Sequence, residues 1–339
     1  MITSKKKVIL ISAGEPSSIA TEITIKTIMS SKVHSDIMPI IITDPQIIID
    51  YFKLNNVNYE INEIKDKQYF KDFKKNKINI IPIKLLEKVV MGSPNVKNAS
   101  FVKDSIVKCV NIQLNSIASA LVTNPINKKV MYESGFNYTG HTEFLASLSL
   151  KNKHPVMMLV GKHLKTIPLT IHIPLKKVSK LLTKELIIST IKIARESLIS
   201  YFGFSQPRII ITGLNPHAGE DGDIGTEEKK IIIPAIKEVL DNTSYHLSGP
   251  ISADTAFSYD NRKKYDLAIC MYHDQALIPI KTLDFHNGVN VTLGLDFIRT
   301  SPDHGTGFDI AGQDKANPQS LISAINLAYK MSINKENDK

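Results

Sequence analysis

The chain has 339 residues, 42% of them hydrophobic and 22% charged, with a formal net charge of +9. That length suits one large or two packed α/β domains, and the apolar runs are of strand length, too short for a transmembrane helix. The positive charge is lysine spread along the chain, as in KKK at 5–7 and KDFKKNK at 71–77; with no aromatic interleaving and no recognisable motif, it argues against a nucleic-acid partner.

The opening MITSKKKVILISAG places a basic patch before apolar residues but lacks a small-residue cleavage pattern. It predicts a first strand and a cytoplasmic protein. Further β-branched apolar runs at 38–43, 78–83, 120–123, 156–160, 166–172, 208–213, 266–271 and 289–295 predict strands. Helical periodicity at 19–30, 99–117, 183–201, 226–240 and 316–331 separates several of them. The alternation predicts an α/β fold with a mostly parallel sheet covered on both faces. Cys109 and Cys270 fall in a helix and a strand, outside any C-x-x-C spacing, and are expected to be buried thiols.

The segments that follow the strands are unusual. VILISA runs into Gly14-Glu15-Pro16 and ALVT into Asn124-Pro125. Three other runs lead to histidine: PLTI to His172, IIITGL through Asn215-Pro216 to His217, and LAICMY to His273-Asp274-Gln275. Ligands of open α/β sheets bind outside the carboxyl ends of the strands. Three imidazoles there are expected to meet at one divalent ion, as in catalytic three-histidine sites. Imidazole favours zinc, cobalt or nickel over magnesium. Asp274 is either an orienter of its neighbouring ligand or a helix cap. His34, His154, His163, His246 and His286 lack that placement and read as ordinary histidines.

Thr139-Gly140-His141-Thr142-Glu143 precedes an apolar helical pattern, so His141 or Thr142 is expected to cap a helix or its amides to bind an anion. Lys281, Asn290 and Arg299, set around the turn His286-Asn287-Gly288, suit phosphate or carboxylate, or else are solvated surface groups. No dinucleotide or P-loop fingerprint occurs. The glycine-rich HAGEDGDIGTEE runs toward a helix near Thr226 and is a weaker phosphate candidate.

Taken together, GEP (14–16), VTNPINK (122–128), GHTEFLA (140–146), HIPL (172–175), GLNPHAGE (213–220), GPISADTAF (249–257), YHDQALIPIKTL (272–283) and GVNVTLGLDFIRTSPDHGTGFDIAG (288–312) closely resemble the 4-hydroxythreonine-4-phosphate dehydrogenase (PdxA) family of vitamin B6 biosynthesis. The resemblance runs from about Val8 to Leu327. It implies a fold like that of isocitrate and isopropylmalate dehydrogenases: two α/β/α domains, 1–127 plus 296–339 and 128–295, with the active site in the cleft between them. It implies NAD or NADP, and a divalent metal (zinc, magnesium or cobalt) on His172, His217 and His273 at a homodimer interface, with ligands from both subunits. It also implies substrate contacts at His141, Thr142, Lys281, Asn290 and Arg299. Asn215, Gly219, Glu220 and Gly222 are the candidate cofactor contacts, and Asp254 or Asp274 the proton-transfer group. The sequence departs from the family at GEPSSIATE, where GEPAGIGPE is usual, and at Ala276, Asp296 and Pro302. The expected reaction is oxidation of 4-phosphooxy-L-threonine. Competing expectations are a dehydrogenase of phospho-threonate or phospho-erythronate, a phosphate acyltransferase or metal-dependent hydrolase, and an inactive binding protein.

Overall fold

The computed structural model describes residues 6–65, 71–138, 140–150 and 154–338. Lys5 of the basic patch and Thr139 of the helix-opening motif lie outside the described residues. Contacts divide the chain into two compact units, Met1–Asn152 with Leu295–Ser332 and Lys153–Gly294 with Ile333–Lys339.

The first unit contains β1 (Lys7–Ser12), α1 (Ala20–Ile28), β2 (Ile37–Thr43), α2 (Pro45–Leu54), β3 (Ile61–Glu63), β4 (Ile78–Pro82), α3 (Ala99–Leu114), β5 (Ala120–Val122), α4 (Lys128–Glu133) and α5 (His141–Leu148). The second contains β6 (Val156–Val160), β7 (Lys165–Thr170), α6 (Val178–Leu181), α7 (Lys184–Phe202), β8 (Arg208–Thr212), α8 (Ile233–Asn242), β9 (His246–Ile251), α9 (Ala253–Ala256), α10 (Tyr259–Arg262), β10 (Leu267–Tyr272), α11 (His273–Leu283) and β11 (Val289–Leu293). The chain then forms β12 (Arg299–Pro302), in the first unit, and α12 (Gln319–Asn337).

In the first unit the strands lie in the order β3-β4-β2-β1-β5-β12, every pair parallel. Strand β2 shows why its sequence is almost continuously apolar. Met38, Ile40 and Ile42 enter one cluster with Phe101, Val102, Ile106 and Cys109 of α3. Ile41, on the other face by the two-residue period, packs with Ile25 of α1 and Ile48, Tyr51 and Phe52 of α2. Both faces of the sheet are therefore covered, as parallel sheets require. Helix α2 begins where Asp44 accepts a hydrogen bond from Gln46 N and Pro45 fills the first position, a start that leaves few orphan amides. The chain leaves β1 toward β2 on one side and reaches β5 on the other, so the carboxyl ends of β1 and β5 flank a topological switch point.

The second unit has the order β11-β6-β7-β10-β8-β9. β7, β10, β8 and β9 run parallel, while β6 is antiparallel to both β7 and β11. Its core joins Leu159, Ile210, Ala268 and Cys270 of the strands to Ala276, Leu277 and Ile280 of α11. Both cysteines are free and buried. Thr183 caps α7 by accepting from Leu186 N, and Gly203 ends it at φ 73°, the left-handed position glycine fills without strain. No helix among the described residues is long and apolar enough to cross a membrane.

Phe101 is 1% exposed and anchors α3 on the first sheet. Phe101→Ala is expected to destabilise the protein by roughly 3–5 kcal/mol, seen as a lower urea midpoint at unchanged slope; an unmoved midpoint would show that this packing does not hold the face.

Candidate active site

In the second unit, β7, β10 and β8 are adjacent and parallel, and each leads at its carboxyl end to one of the three histidines. His172 and His273 come together, with ring centroids 5.9 Å apart. Two imidazoles sharing one ion at about 2 Å stand roughly 5–6 Å apart by centroid, so this pair fits a divalent ion. His273 Nδ1 lies 2.7 Å from Asp274 Oδ1. A proton on Nδ1 in that contact leaves the Nε2 lone pair for a metal. The cap of α11 is Tyr272, so Asp274 orients the imidazole instead of capping the helix.

His217 does not join them in a three-ligand set. Among the described residues, no group of three or more His, Cys, Asp or Glu within one chain is close enough to hold an ion. The expected meeting point is thus not formed by one chain. The reason is local: His217 stands five residues beyond β8, on a left-handed turn, and its charge is felt at Asp254. His217, Ala218, Glu220 and Asp221 all have φ between 40° and 55°, and His172 has φ 51°. Each such residue costs about 1–2 kcal/mol, and strain of this kind persists where the surroundings impose it.

The surroundings here are Glu228, which the sequence reading passed over among neighbouring charges. It is 2% exposed. Its Oε1 accepts from Leu214 N (2.7 Å) and Asn215 N (2.8 Å), and its Oε2 from Asn215 Nδ2 (2.9 Å). A methyl group on Gly219 would lie 2.6 Å from Glu228 Oε2, so glycine is required there. Asn215 also donates to Glu227 at 2.8 Å. Two of the candidate cofactor contacts, Asn215 and Gly219, therefore build the loop itself, whereas Glu220 is exposed and Gly222 half-buried.

Asp254 is exposed, and its Oδ1 accepts from Ser252 Oγ at 2.5 Å. That hydrogen bond, with backbone amides and His217 adding to it, holds its carboxyl below the usual range. Lys281 lies eight residues along α11 from His273, about 12 Å of helix rise, with Nζ 5.9 Å from the Phe285 ring centroid. Asn290 is half-buried on β11, opposite Leu159 of β6.

In the first unit, Arg299 opens β12 and is 3% exposed. Its Nε and Nη2 donate to Thr123 Oγ1, at 3.1 and 2.6 Å, just past β5. Burial pulls its pKa down to about 9, leaving the guanidinium charged at neutral pH. His141 begins α5, but Gly140 is the N-cap and neither His141 nor Thr142 caps by its side chain. Its Nε2 is buried and has no hydrogen-bond partner among the described residues. Burial first, then the charges of Arg299 and Lys128, push the imidazole well below its ordinary pKa. Lys128 belongs to this cationic cluster and was not picked out as a site residue, although it closes the VTNPINK motif. Glu15, 1% exposed just past β1, has its carboxyl pushed up by burial although it accepts a hydrogen bond from Ser17 N.

The departures from the family pattern are accommodated locally. Ser18 Oγ donates to Glu15 O (2.6 Å) and accepts from Ala20 N (3.0 Å), shaping the turn before α1. Asp296 accepts from Ser149 Oγ (2.7 Å) and Leu150 N (3.1 Å), closing the end of α5. Ala276 is fully buried inside α11, and Pro302 ends β12.

Comparison with known proteins shows the family of the chain. The family model of the pyridoxal phosphate biosynthetic protein PdxA matches residues 35–328. A 4-hydroxythreonine-4-phosphate dehydrogenase of Bradyrhizobium diazoefficiens is 53% identical over 244 residues, 71% of this chain and 70% of that one. The enzyme of that name from a Ruegeria species is 43% identical over 98% of both chains. The crystal structure of 4-hydroxythreonine-4-phosphate dehydrogenase from Klebsiella pneumoniae superposes with a TM-score of 0.86 at 33% identity, covering 96% of this chain and 99% of the other.

The neutral His141 gives the site a pH signature. With its folded-state pKa below the ordinary 6.5, it takes up fewer protons than the unfolded chain as pH falls past that value. Its contribution to stability is complete above about pH 6.5 and is lost progressively below it. Between about pH 6.5 and 5 the parent is expected to lose stability more steeply than His141→Gln in denaturant melts; parallel curves would contradict a buried neutral imidazole.

Proposed function

The chain belongs to the family of the pyridoxal phosphate biosynthetic protein PdxA and is an oxidoreductase; from that premise we propose that it oxidises 4-phosphooxy-L-threonine, with NAD and a divalent metal, to 2-amino-3-oxo-4-phosphooxybutanoate. That β-keto acid then loses carbon dioxide to give 3-amino-2-oxopropyl phosphate. The observation that carries this reading is the buried Arg299 beside His141, whose Nε2 is buried without a partner among the described residues. A desolvated cation and an unsatisfied nitrogen each cost free energy. A phosphate or carboxylate oxygen bound there relieves both.

When bound, the divalent ion supplies Lewis acidity toward the substrate hydroxyl and NAD supplies the hydride acceptor. His172, His217 and His273 are the groups that would hold the ion, and the His172–His273 pair fits one. With the trio not gathered in one chain, the reading includes a homodimer whose second copy completes the site. Arg299, His141 and Thr142 are the proposed contacts for the anionic substrate in the first unit, and Lys281 and Asn290 are candidate contacts of the second unit taken by itself. They use binding energy remote from C3 to orient it. Asp254, bonded to Ser252, and Asp274, bonded to His273, are the two carboxylates proposed to take the hydroxyl proton. Glu220 and Gly222, on the accessible part of the left-handed turn, are the proposed cofactor contacts. This chemistry fits a cytoplasmic enzyme.

Purified protein should form NADH from 4-phosphooxy-L-threonine and stop doing so on chelation of metals. NADH formation that survives exhaustive chelation would remove the metal from the reading. Formation from phospho-threonate or phospho-erythronate only would change the substrate. Arg299→Gln is expected to lower kcat/KM roughly ten- to a hundred-fold on the phosphorylated substrate, the size of a lost charged hydrogen bond, and much less on its dephosphorylated analogue. Equal losses on both would remove Arg299 from phosphate binding.

A further inference from the structure

The three histidine-bearing strand ends of the second unit are joined by side chains as well as by the sheet ladder. Thr170, the last residue of β7 and two before His172, donates from Oγ1 to Met271 O at 2.8 Å. Met271 N, two residues before His273, donates to Gln275 Oε1 at 2.9 Å. The same Oε1 accepts from Thr212 Oγ1 at 3.1 Å, at the end of β8. Gln275 Nε2 donates to Gly213 O at 2.9 Å, where the chain departs toward His217. Thr212 and Met271 are fully buried and Thr170 is 6% exposed, so these bonds are shielded from competing water. The carboxamide of Gln275 thus bridges the β10 and β8 ends, and Thr170 extends the chain of bonds to β7. An amide is needed here: one oxygen accepts two bonds while the nitrogen donates a third.

We infer that Gln275 is a positioning residue for the candidate metal centre, which with Thr170 and Thr212 fixes the strand ends so that His172, His217 and His273 are set before an ion arrives. The inference rests on the metal reading above. Groups outside the ligand shell that orient ligands commonly contribute 10- to 100-fold to metal affinity. Gln275→Glu keeps the shape but replaces the donor to Gly213 O with an acceptor. Thr170→Val keeps the volume and removes only the hydroxyl. Thr166→Val is the control, because Thr166 Oγ1 bonds Ala276 O at 3.1 Å on the same helix without touching a strand end.

Metal-stripped full-length protein is titrated with cobalt(II), reading affinity by competition with a chromophoric chelator and geometry from the cobalt absorption bands. Gln275→Glu is expected to bind the ion roughly 10- to 100-fold more weakly with altered bands. Thr170→Val should shift in the same direction, and Thr166→Val should match the parent. If Gln275→Glu does not fold, Thr170→Val against Thr166→Val decides. Parent-like affinity and bands in Gln275→Glu and Thr170→Val overturn the inference, as does an equal loss in Thr166→Val. A parent that binds no cobalt overturns the metal reading and this inference together.

Discussion

The parallel ladder of β7, β10 and β8 is the constraint on which the candidate site depends. Parallel strands place their carboxyl ends at one edge, with neighbours about 4.8 Å apart, so residues remote in sequence arrive side by side. His172 and His273, just beyond the carboxyl ends of adjacent strands, meet for this reason. His217 follows the next strand but only after a five-residue excursion. What the ladder cannot do is aim side chains once the chain has left the sheet, and there the protein turns to buried polar groups.

Glu228 is the clearest case. Four non-glycine residues in the left-handed region cost roughly 4–8 kcal/mol together. Three hydrogen bonds to a buried carboxylate return about 5–9 kcal/mol. The two sums are of similar size, and the bonds of Glu228 anchor Leu214 and Asn215 where the chain enters the left-handed turn. In the first unit the imbalance is left open. Arg299 and His141 carry desolvation within the folded chain, and neighbouring cations push His141 further toward its neutral form. A bound anion would gain from the charges of Arg299 and Lys128 at this position, which is the energetic basis for the proposed substrate.

The sequence made the central strands legible because both faces of the sheet are buried, which forces nearly continuous β-branched runs such as those of β1, β2 and β8. It hid the strands that escape that demand. β9 reads HLSGPI and is half-exposed at the edge, while β3 has three residues. β12 reads RTSP and is buried, yet Arg299 bonds Thr123 just past β5 and the Thr300 hydroxyl bonds Ala324 O of α12. Helix α2 carried a readable start, Asp44-Pro45, that lacked a long periodic run behind it. In the site, the histidines stood out because each follows an apolar run. Glu228 and Lys128 did not, because one sits among EEKK and the other after a turn, and only burial and position distinguish them.

Gln275 shows the same limit from the other direction. It was visible in the YHDQ motif only as the neighbour of two more reactive residues. Its role comes from the order of the strands: β10 lies between β7 and β8, so a side chain one turn into α11 can reach both Met271 and Gly213. Had β8 preceded β10 in space, the same amide would face one partner strand and could tie together only two ends. Strand order therefore decides which residue becomes the link between ligands, and no property of glutamine in the linear chain carries that information.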